Sequence, residues 1–392
     1  MAMADPSVRP ELAVLVYNLA ATGVTRNAIR IAAAAASRGI RTELWLWQST
    51  GPFGKLVPGN VKIVEFGNSS AMLRFGHLRR AGIFLKIPAL AKLITGRQPH
   101  ILLSAGNRCH LAASLAWRLA GKPQQTITVA RASNANPMFS KKSFVARLLN
   151  RLDTLKFKSF QHIISVSHEL GSALSAVRPE LSARMCVIPN GVDIAKLAST
   201  KPQLPEHAYF MPKVGPVLVT AGTLTRQKNF PLLVDALAIL RQSLPSARLI
   251  ILGESNQTER AHLEAKIAQL GISDAVDLAG YATEPTRFFH HADVYVLSSL
   301  WEGASNSLLE AMACGARIVA TDCPTGIGEL LDNGRQGTIV PLGDPAALAR
   351  AIVLALQSPK PAQARQQWMT QFQLEKCLAA YTTFFEDLLK VT

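Results

Sequence analysis

A chain of 392 residues with 48% hydrophobic and 17% charged residues is too long for one ordinary domain and too apolar for a disordered tail; two packed globular domains are expected. The net charge of +16 is unevenly placed: residues 1–200 hold 26 basic and 8 acidic residues, and residues 201–392 hold 16 and 18. The first half, at +18, is therefore expected to face something anionic: a nucleic acid, a membrane surface or a phosphorylated substrate. The N-terminal MAMADPSVRPE lacks the basic start and apolar run of a secretion signal. AGIFLKIPALAKLITG (81–96) is broken by Lys86, Pro88 and Lys92 and falls short of a membrane span. Five cysteines, widely spaced and without a C-x-x-C pair, fit a reducing cytosol better than a disulfide framework or zinc site.

Short aliphatic runs alternate with helix-length amphipathic segments, the pattern of βα units on a parallel sheet. Strands are expected at Leu12–Tyr17, Thr42–Trp47, Val61–Phe66, Ile101–Ser104, Thr126–Val129 and Ile163–Val166. The scheme repeats at Val217–Ala221, Arg248–Leu252, Val276–Leu278, Val294–Ser298, Ile318–Thr321 and Thr338–Val340, which implies two Rossmann-like domains. Between them, 196–216 includes KPQLPEHAYFMPKVGP, proline-rich and aperiodic, and reads as a linker. The resulting layout is 1–195, linker 196–216, 217–366 and a C-terminal segment 367–392, with one amphipathic helix over Trp368–Lys390 crossing back to the first domain. The alanine run at 32–36 reads as helix.

The most informative stretch is SSLWEGASNSLLEAMACG (298–315), directly after a buried strand. If Ser305–Cys314 is a helix, Gly303, Ala304, Ser305 and Asn306 form its entrance, where unpaired N–H groups and the positive dipole end suit an anion. Glu302 stands before this cradle, and Glu310, a turn inside the helix, can accept from a vicinal diol such as a ribose. Spacing alone also allows a capping box of Ser307 with Glu310 and a solvated loop acid at Glu302.

This stretch resembles the Glu, seven residues, Glu signature of retaining glycosyltransferases of family four with the GT-B fold, the glycogen-synthase-like and sucrose-synthase-like "glycosyl transferases group 1". VIPNGVD (187–193), AGTLTRQKNF (221–230) and LAGYATEPTRFFHHADVYVLSSLWEG (278–303) stand in that family's order and spacing. The likeness is specific over 185–345 and extends over 12–184 only as an arrangement of βα units. It implies an α/β GT-B architecture whose two parallel sheets face a central cleft, the first domain holding the acceptor and the second a nucleotide sugar. It places Glu302 by the donor sugar and Glu310 on the ribose.

The same resemblance implies that Lys228 and Arg226 neutralise the diphosphate of the donor. Thr223 stands where the family usually has an arginine, and Arg226 is the candidate to replace it. Gly280 and Tyr281 would offer backbone groups to the base, although Tyr281 could equally be a packing aromatic. Asn190-Gly191 reads as a turn and, by resemblance, as the end of the first domain. NLAATGVT (18–25) leads from strand to helix, with Gly23 where the family approaches the donor phosphates; it is not G-x-G-x-x-G, which speaks against a dinucleotide cofactor. His110, Arg131 and Asn134 (in ARASNANP) lie near the positions expected for the acceptor side. His290-His291 lack a third ligand and read as a surface pair.

Two basic amphipathic segments suit anionic headgroups or a solvated face: His77–Arg97, with Arg79 and Arg80, and Lys141–Lys158, with Lys142, Arg147 and Arg151. No nucleic-acid module accompanies them. The expected activity is transfer of a hexose or N-acetylhexosamine from a nucleoside diphosphate, UDP favoured, to a glycolipid or polysaccharide-precursor hydroxyl with retention. It would need no metal or cofactor and would take place at the cytoplasmic face of an anionic membrane, in lipopolysaccharide or other cell-surface glycan synthesis. With no second carboxylate evident as a nucleophile, a front-face route is expected. Two rivals are a nucleotide-sugar epimerase or hydrolase on the same fold, and a non-catalytic binder of anionic surfaces.

Overall fold

The computed structural model describes residues 9–66, 85–134, 154–199, 203–254, 257–360 and 363–391. They form two compact units, Met1–Asn190 with Glu375–Thr392, and Gly191–Leu374. In the first, β1 (Leu12–Val16), β2 (Thr42–Leu46), β3 (Lys62–Glu65), β4 (Ile101–Ser104), β5 (Ile127–Ala132), β6 (His162–Ser165) and β7 (Met185–Val187) form a sheet ordered β3-β2-β1-β4-β5-β6-β7. In the second, β8 (Val217–Ala221), β9 (Arg248–Leu252), β10 (Val276–Gly280), β11 (Val294–Leu297), β12 (Arg317–Thr321) and β13 (Thr338–Val340) are ordered β10-β9-β8-β11-β12-β13. Every pairing is parallel, as βα connections require.

Runs such as LAVLV in β1 and VLVTA in β8 are buried along their whole length because helices cover both sheet faces. Alternation then assigns neighbours to opposite cores: Leu218, Leu249 and Val296 to one face of the second sheet, Val219, Ile250 and Leu297 to the other. In each sheet the order reverses beside the first strand of the unit, so the loops after β1 and β4, and after β8 and β11, splay apart at their carboxyl ends. Such a switch point is where doubly wound sheets bind ligands.

Three expectations need correction. The segment 196–216 is not a free connection: Phe210 is buried in the second unit's core, and His207 Nε2 lies 2.7 Å from Asp277. The units divide instead at Asn190/Gly191, where no turn forms. The C-terminal helix is two helices, Gln363–Met369 and Leu374–Lys390, separated where Gln373 bridges Val192. Residues 375–392 belong to the first unit, and Tyr381, Phe385 and Leu388 enter its core. The short edge strand β7, MCV, was not expected; it is half-buried, with only one β-branched residue.

Arg79, Arg80, Lys141, Lys142, Arg147 and Arg151 lie outside the described residues. Of the nearby basic residues, Lys86 is buried and donates to the Trp47 carbonyl at 2.7 Å, and Arg97 pairs with buried Glu43, so neither lies on a solvated face. The five cysteines are free.

Candidate active site

The two loops at the second switch point are laced together. After β8 the chain runs through Gly222–Asn229 into the helix Phe230–Ser243; after β11 it runs through Ser298–Ser305 into the helix Asn306–Ala313. Leu300 N–H donates to the Gln227 carbonyl at 2.8 Å, the Gln227 amide to the Trp301 carbonyl at 2.9 Å, and the Ser298 hydroxyl to the Lys228 carbonyl at 2.8 Å. The Ser307 hydroxyl closes onto the Ala221 carbonyl at 3.0 Å and accepts from Tyr295 at 2.8 Å.

Inside this lacing Lys228 Nζ meets Glu302 Oε1 at 2.6 Å. The Ser299 hydroxyl donates to the same oxygen at 2.7 Å, while among the described residues Oε2 receives only the Gln227 amide at 3.4 Å. Glu302 is 5% exposed, and its backbone is fixed by Thr325 Oγ1 donating to its carbonyl. Glu302 is thus no solvated loop acid. Glycine makes the approach of Lys228 feasible: a Cβ on Gly222 would stand 2.7 Å from Lys228 Cε. Behind it, Gly253 at φ +148° lets its backbone touch Gly222, where a Cβ would fall 2.0 Å from the Gly222 carbonyl oxygen.

The helix entrance is formed by Gly303, Ala304 and Ser305, all buried, and half-buried Asn306. Ser305 is the N-cap, extended at φ −77°, ψ 110°, with no side-chain cap bond. The Ser307–Glu310 capping box does not form, since Ser307 is inside the helix and bonds elsewhere. The first four N–H groups of such a helix lack intrahelical partners and carry its positive dipole end. Glu310 is half-buried, one turn further along.

Arg226 is exposed and forms no hydrogen bond or ion pair with another described residue; Thr223 beside it is exposed as well. Gly280 ends β10 with φ +73° and accepts from Gly253 N–H at 2.7 Å. Tyr281, 40% exposed, is not a core aromatic. Buried Cys323 has its thiol pushed up by burial, with the Glu302 charge adding to the effect.

In the first unit, Gly23 opens the helix Gly23–Ser37 after β1, capped by Thr22 accepting from Thr25 N–H at 3.3 Å. Of the three acceptor-side candidates, two are buried. His110 is fully buried between Phe157 and Phe160, with Nδ1 2.8 Å from the Ser104 hydroxyl. Burial lowers its pKa to about 3, so it is a neutral core histidine. Arg131 is also buried, its Nε donating to Tyr381 Oη at 2.8 Å and Nη2 to Asn190. Only Asn134 is part-exposed, its carbonyl accepting from the Asn107 amide at 3.0 Å. Ser299, Gln227 and Thr325 are site residues that pattern reading missed; Gln227 and Ser299 each lie within three residues of a charged member of the pair. Half-buried His290 and His291 share the helix Pro285–His291, and no group of three or more metal-ligating side chains forms among the described residues.

Comparison with known proteins agrees with this layout. The family model described as "Glycosyltransferase Family 4" matches residues 21–196, and "Glycosyl transferases group 1" matches residues 215–358. The chain is 29% identical over 194 residues to an uncharacterized glycosyltransferase of Methanocaldococcus jannaschii, covering 48% of this chain and 47% of that one. It is 29% identical over 143 residues, 36% of this chain and 38% of the other, to the N-acetylgalactosamine-N,N'-diacetylbacillosaminyl-diphospho-undecaprenol 4-alpha-N-acetylgalactosaminyltransferase of Campylobacter jejuni. The matched stretches thus span less than half the length of these curated relatives. A crystal structure of Anabaena HepE in complex with UDP and glucose superposes with a TM-score of 0.76 at 18% identity, over 98% of this chain and 100% of that one. That likeness establishes the GT-B fold.

Proposed function

The chain belongs to the family-four glycosyltransferases with the GT-B fold, and from that premise we propose that it moves a hexose or N-acetylhexosamine from a nucleoside diphosphate sugar, UDP favoured, to a hydroxyl of a lipid-linked or polysaccharide-precursor acceptor, with retention. The observation that carries this reading is the Lys228–Glu302 pair at the second switch point, beside the entrance of the helix Asn306–Ala313. Glu302 Oε1 is occupied by Lys228 and Ser299, whereas Oε2, with one long contact among the described residues, keeps acceptor capacity for a sugar hydroxyl. Lys228, Arg226 and the helix N–H groups oppose the charge that builds on a departing diphosphate. Glu310 accepts from the ribose diol, and Thr223, Gly280 and Tyr281 complete the donor side. On the acceptor side, Asn134 retains a part-exposed position; His110 and Arg131 act only as support.

In the front-face route the bond from the anomeric carbon to the diphosphate oxygen breaks while the acceptor oxygen bonds to the same carbon on the same face. The acceptor proton passes to the departing phosphate, so no protein base is consumed. Side-chain cations meet the leaving-group demand, which supports transfer without a metal. The Campylobacter relative names a diphospho-undecaprenol acceptor. Together with the +18 first half, that name supports an acceptor held at the cytoplasmic face of an anionic membrane, in cell-surface glycan synthesis.

Calorimetry with a panel of nucleotide sugars, followed by product analysis with a lipid-diphosphate saccharide, tests the reading. The expected result is saturable binding of one nucleotide sugar and an α-linked product from an α-linked donor. Release of free sugar or an epimer with no acceptor dependence would favour the hydrolase or epimerase instead, and failure of every nucleotide sugar to bind would favour the non-catalytic binder.

A further inference from the structure

Six non-glycine residues among the described ones have a positive φ: Gln98, Lys122, Asn229, Thr325, Asp332 and Asn333. Asn and Asp enter that region readily, and Gln98 and Lys122 are exposed just after helices. Thr325, at φ +68°, is the only β-branched residue of the six and the only buried one. A branched Cβ there is strained, and such strain persists only where the surroundings over-determine the conformation. Both flanks of Thr325 are anchored. Before it, Asp322 N–H donates to the Val340 carbonyl and Cys323 N–H to the Thr321 carbonyl, each at 2.7 Å. After it, Leu330 N–H donates to the Gly326 carbonyl at 3.0 Å, and Ile327 is fully buried in the second unit's core.

What this loop holds is Glu302. Thr325 Oγ1 donates to the Glu302 carbonyl, and Glu302 N–H donates to the Pro324 carbonyl at 3.4 Å. The Thr321 hydroxyl, at the end of β12, donates to the Ser299 carbonyl at 2.7 Å. The backbone that carries the glutamate is thus clasped from a third loop, while its carboxylate meets Lys228 from the loop after β8. Glycine would take this backbone conformation without strain but has no hydroxyl to give. We infer that Thr325 is a positioning residue: the strain is retained because the threonine hydroxyl fixes the Glu302 backbone and, through it, the carboxylate against the donor sugar. The inference rests on the transferase reading above and extends it to a side chain that acts only through Glu302. Its leverage comes from geometry, since a displacement of about 1 Å in a reacting constellation costs on the order of a hundredfold in rate.

Thr325→Ser, Thr325→Ala and Thr325→Gly separate the hydroxyl from the strain. Transfer should follow the hydroxyl: kcat stays near wild type in the serine variant and falls about tenfold to a hundredfold in the other two, with nucleoside diphosphate affinity unchanged in all three. Stability should follow the backbone, the glycine variant melting roughly 2 to 4 °C above the alanine variant, because only alanine meets the penalty at positive φ. Wild-type kcat in the alanine and glycine variants, or a loss of nucleoside diphosphate affinity that matches the loss of kcat, would overturn the positioning role. An alanine variant as stable as the glycine one would remove the strain from it. A denaturant cycle of Thr325→Ala with Lys228→Met needs no activity. Stranding Glu302 should cost less once its backbone is released, so the double variant is expected to lose less stability than the two single variants summed. Additive losses would overturn the positioning role whatever the transfer assay gives. A wild type that transfers no sugar while the cycle is non-additive would overturn the transferase reading alone, leaving Thr325 as the residue that sets Glu302.

Discussion

Lys228 Nζ, from the loop after β8, donates to Glu302 Oε1, from the loop after β11, at 2.6 Å with little of either side chain exposed. Removing one partner of a largely buried pair strands the other charge, at a cost of roughly 3 kcal/mol. Lys228→Ala is therefore expected to lower the unfolding free energy of the second unit as well as nucleoside diphosphate affinity. The double variant Lys228→Met, Glu302→Gln should lose less stability than Lys228→Ala alone, because no charge is left unpaired. Denaturant titration of the three proteins checks this; a double variant that loses as much stability as Lys228→Ala, or more, would mean that the two groups do not interact.

Arg226 gives the opposite signature. It is exposed and bonds no other described residue, so the folded protein gains nothing from it. Arg226→Ala should leave the unfolding midpoint unchanged and weaken nucleoside diphosphate binding by about 10- to 150-fold, the loss of one charge-assisted contact worth roughly 1.5 to 3 kcal/mol. Calorimetry showing wild-type affinity in both Arg226→Ala and Lys228→Ala would remove the side-chain clamp on the diphosphate.

With cations supplied by side chains, transfer activity is expected to survive EDTA. Complete loss in the chelator, restored by Mn²⁺ or Mg²⁺, would show that the leaving group depends on a metal after all.

The strands were legible because buried parallel strands read as unbroken aliphatic runs, and twelve segments fall on strands within a few residues; β7 escaped because MCV has no such run. The linker was misplaced for a related reason. Proline and missing periodicity marked 196–216 as loose, whereas anchorage there comes from single long-range contacts such as Phe210 in the core and His207 with Asp277, which no local window contains. At the site, the two glutamates and the lysine were found through motif resemblance, which carries spacing. The Ser299 hydroxyl, the Gln227 amide and the Thr325 cap depend on how two distant loops meet. His110 and Arg131 show the converse: a polar residue near a strand end reads as functional until its burial is known.

That burial makes His110 a test of pH dependence. The unfolded chain takes up a proton near pH 6.5, whereas the folded protein resists it until about pH 3. A histidine with a depressed folded-state pKa contributes stability that is fully present above pH 6.5 and is lost as the pH falls, at up to about 1.4 kcal/mol per pH unit. His110→Asn, which can keep a hydrogen bond to Ser104, should be less stable at pH 7 yet lose less than wild type between pH 7 and pH 5. Parallel urea curves for the two proteins at both pH values would show that His110 does not titrate as a buried neutral group.

Arg131 invites the last test, because a role in acceptor binding and a structural role give different readouts. Its guanidinium is buried, with Nε on Tyr381 Oη at 2.8 Å, Nη2 on Asn190, and Nη1 without a hydrogen-bond partner among the described residues. Tyr381 belongs to the helix Leu374–Lys390, so this bond fastens the C-terminal helix to the first unit's own sheet through β5. Tyr381→Phe keeps the ring and deletes only the hydroxyl, leaving Nε unpaired at a cost of about 1 to 3 kcal/mol. For a unit of this size, that should lower Tm by roughly 2 to 4 °C per kcal/mol. KM for the acceptor should stay unchanged in protein assayed below the transition. A Tyr381→Phe protein that melts like wild type but shows a raised acceptor KM would return Arg131 to the acceptor site.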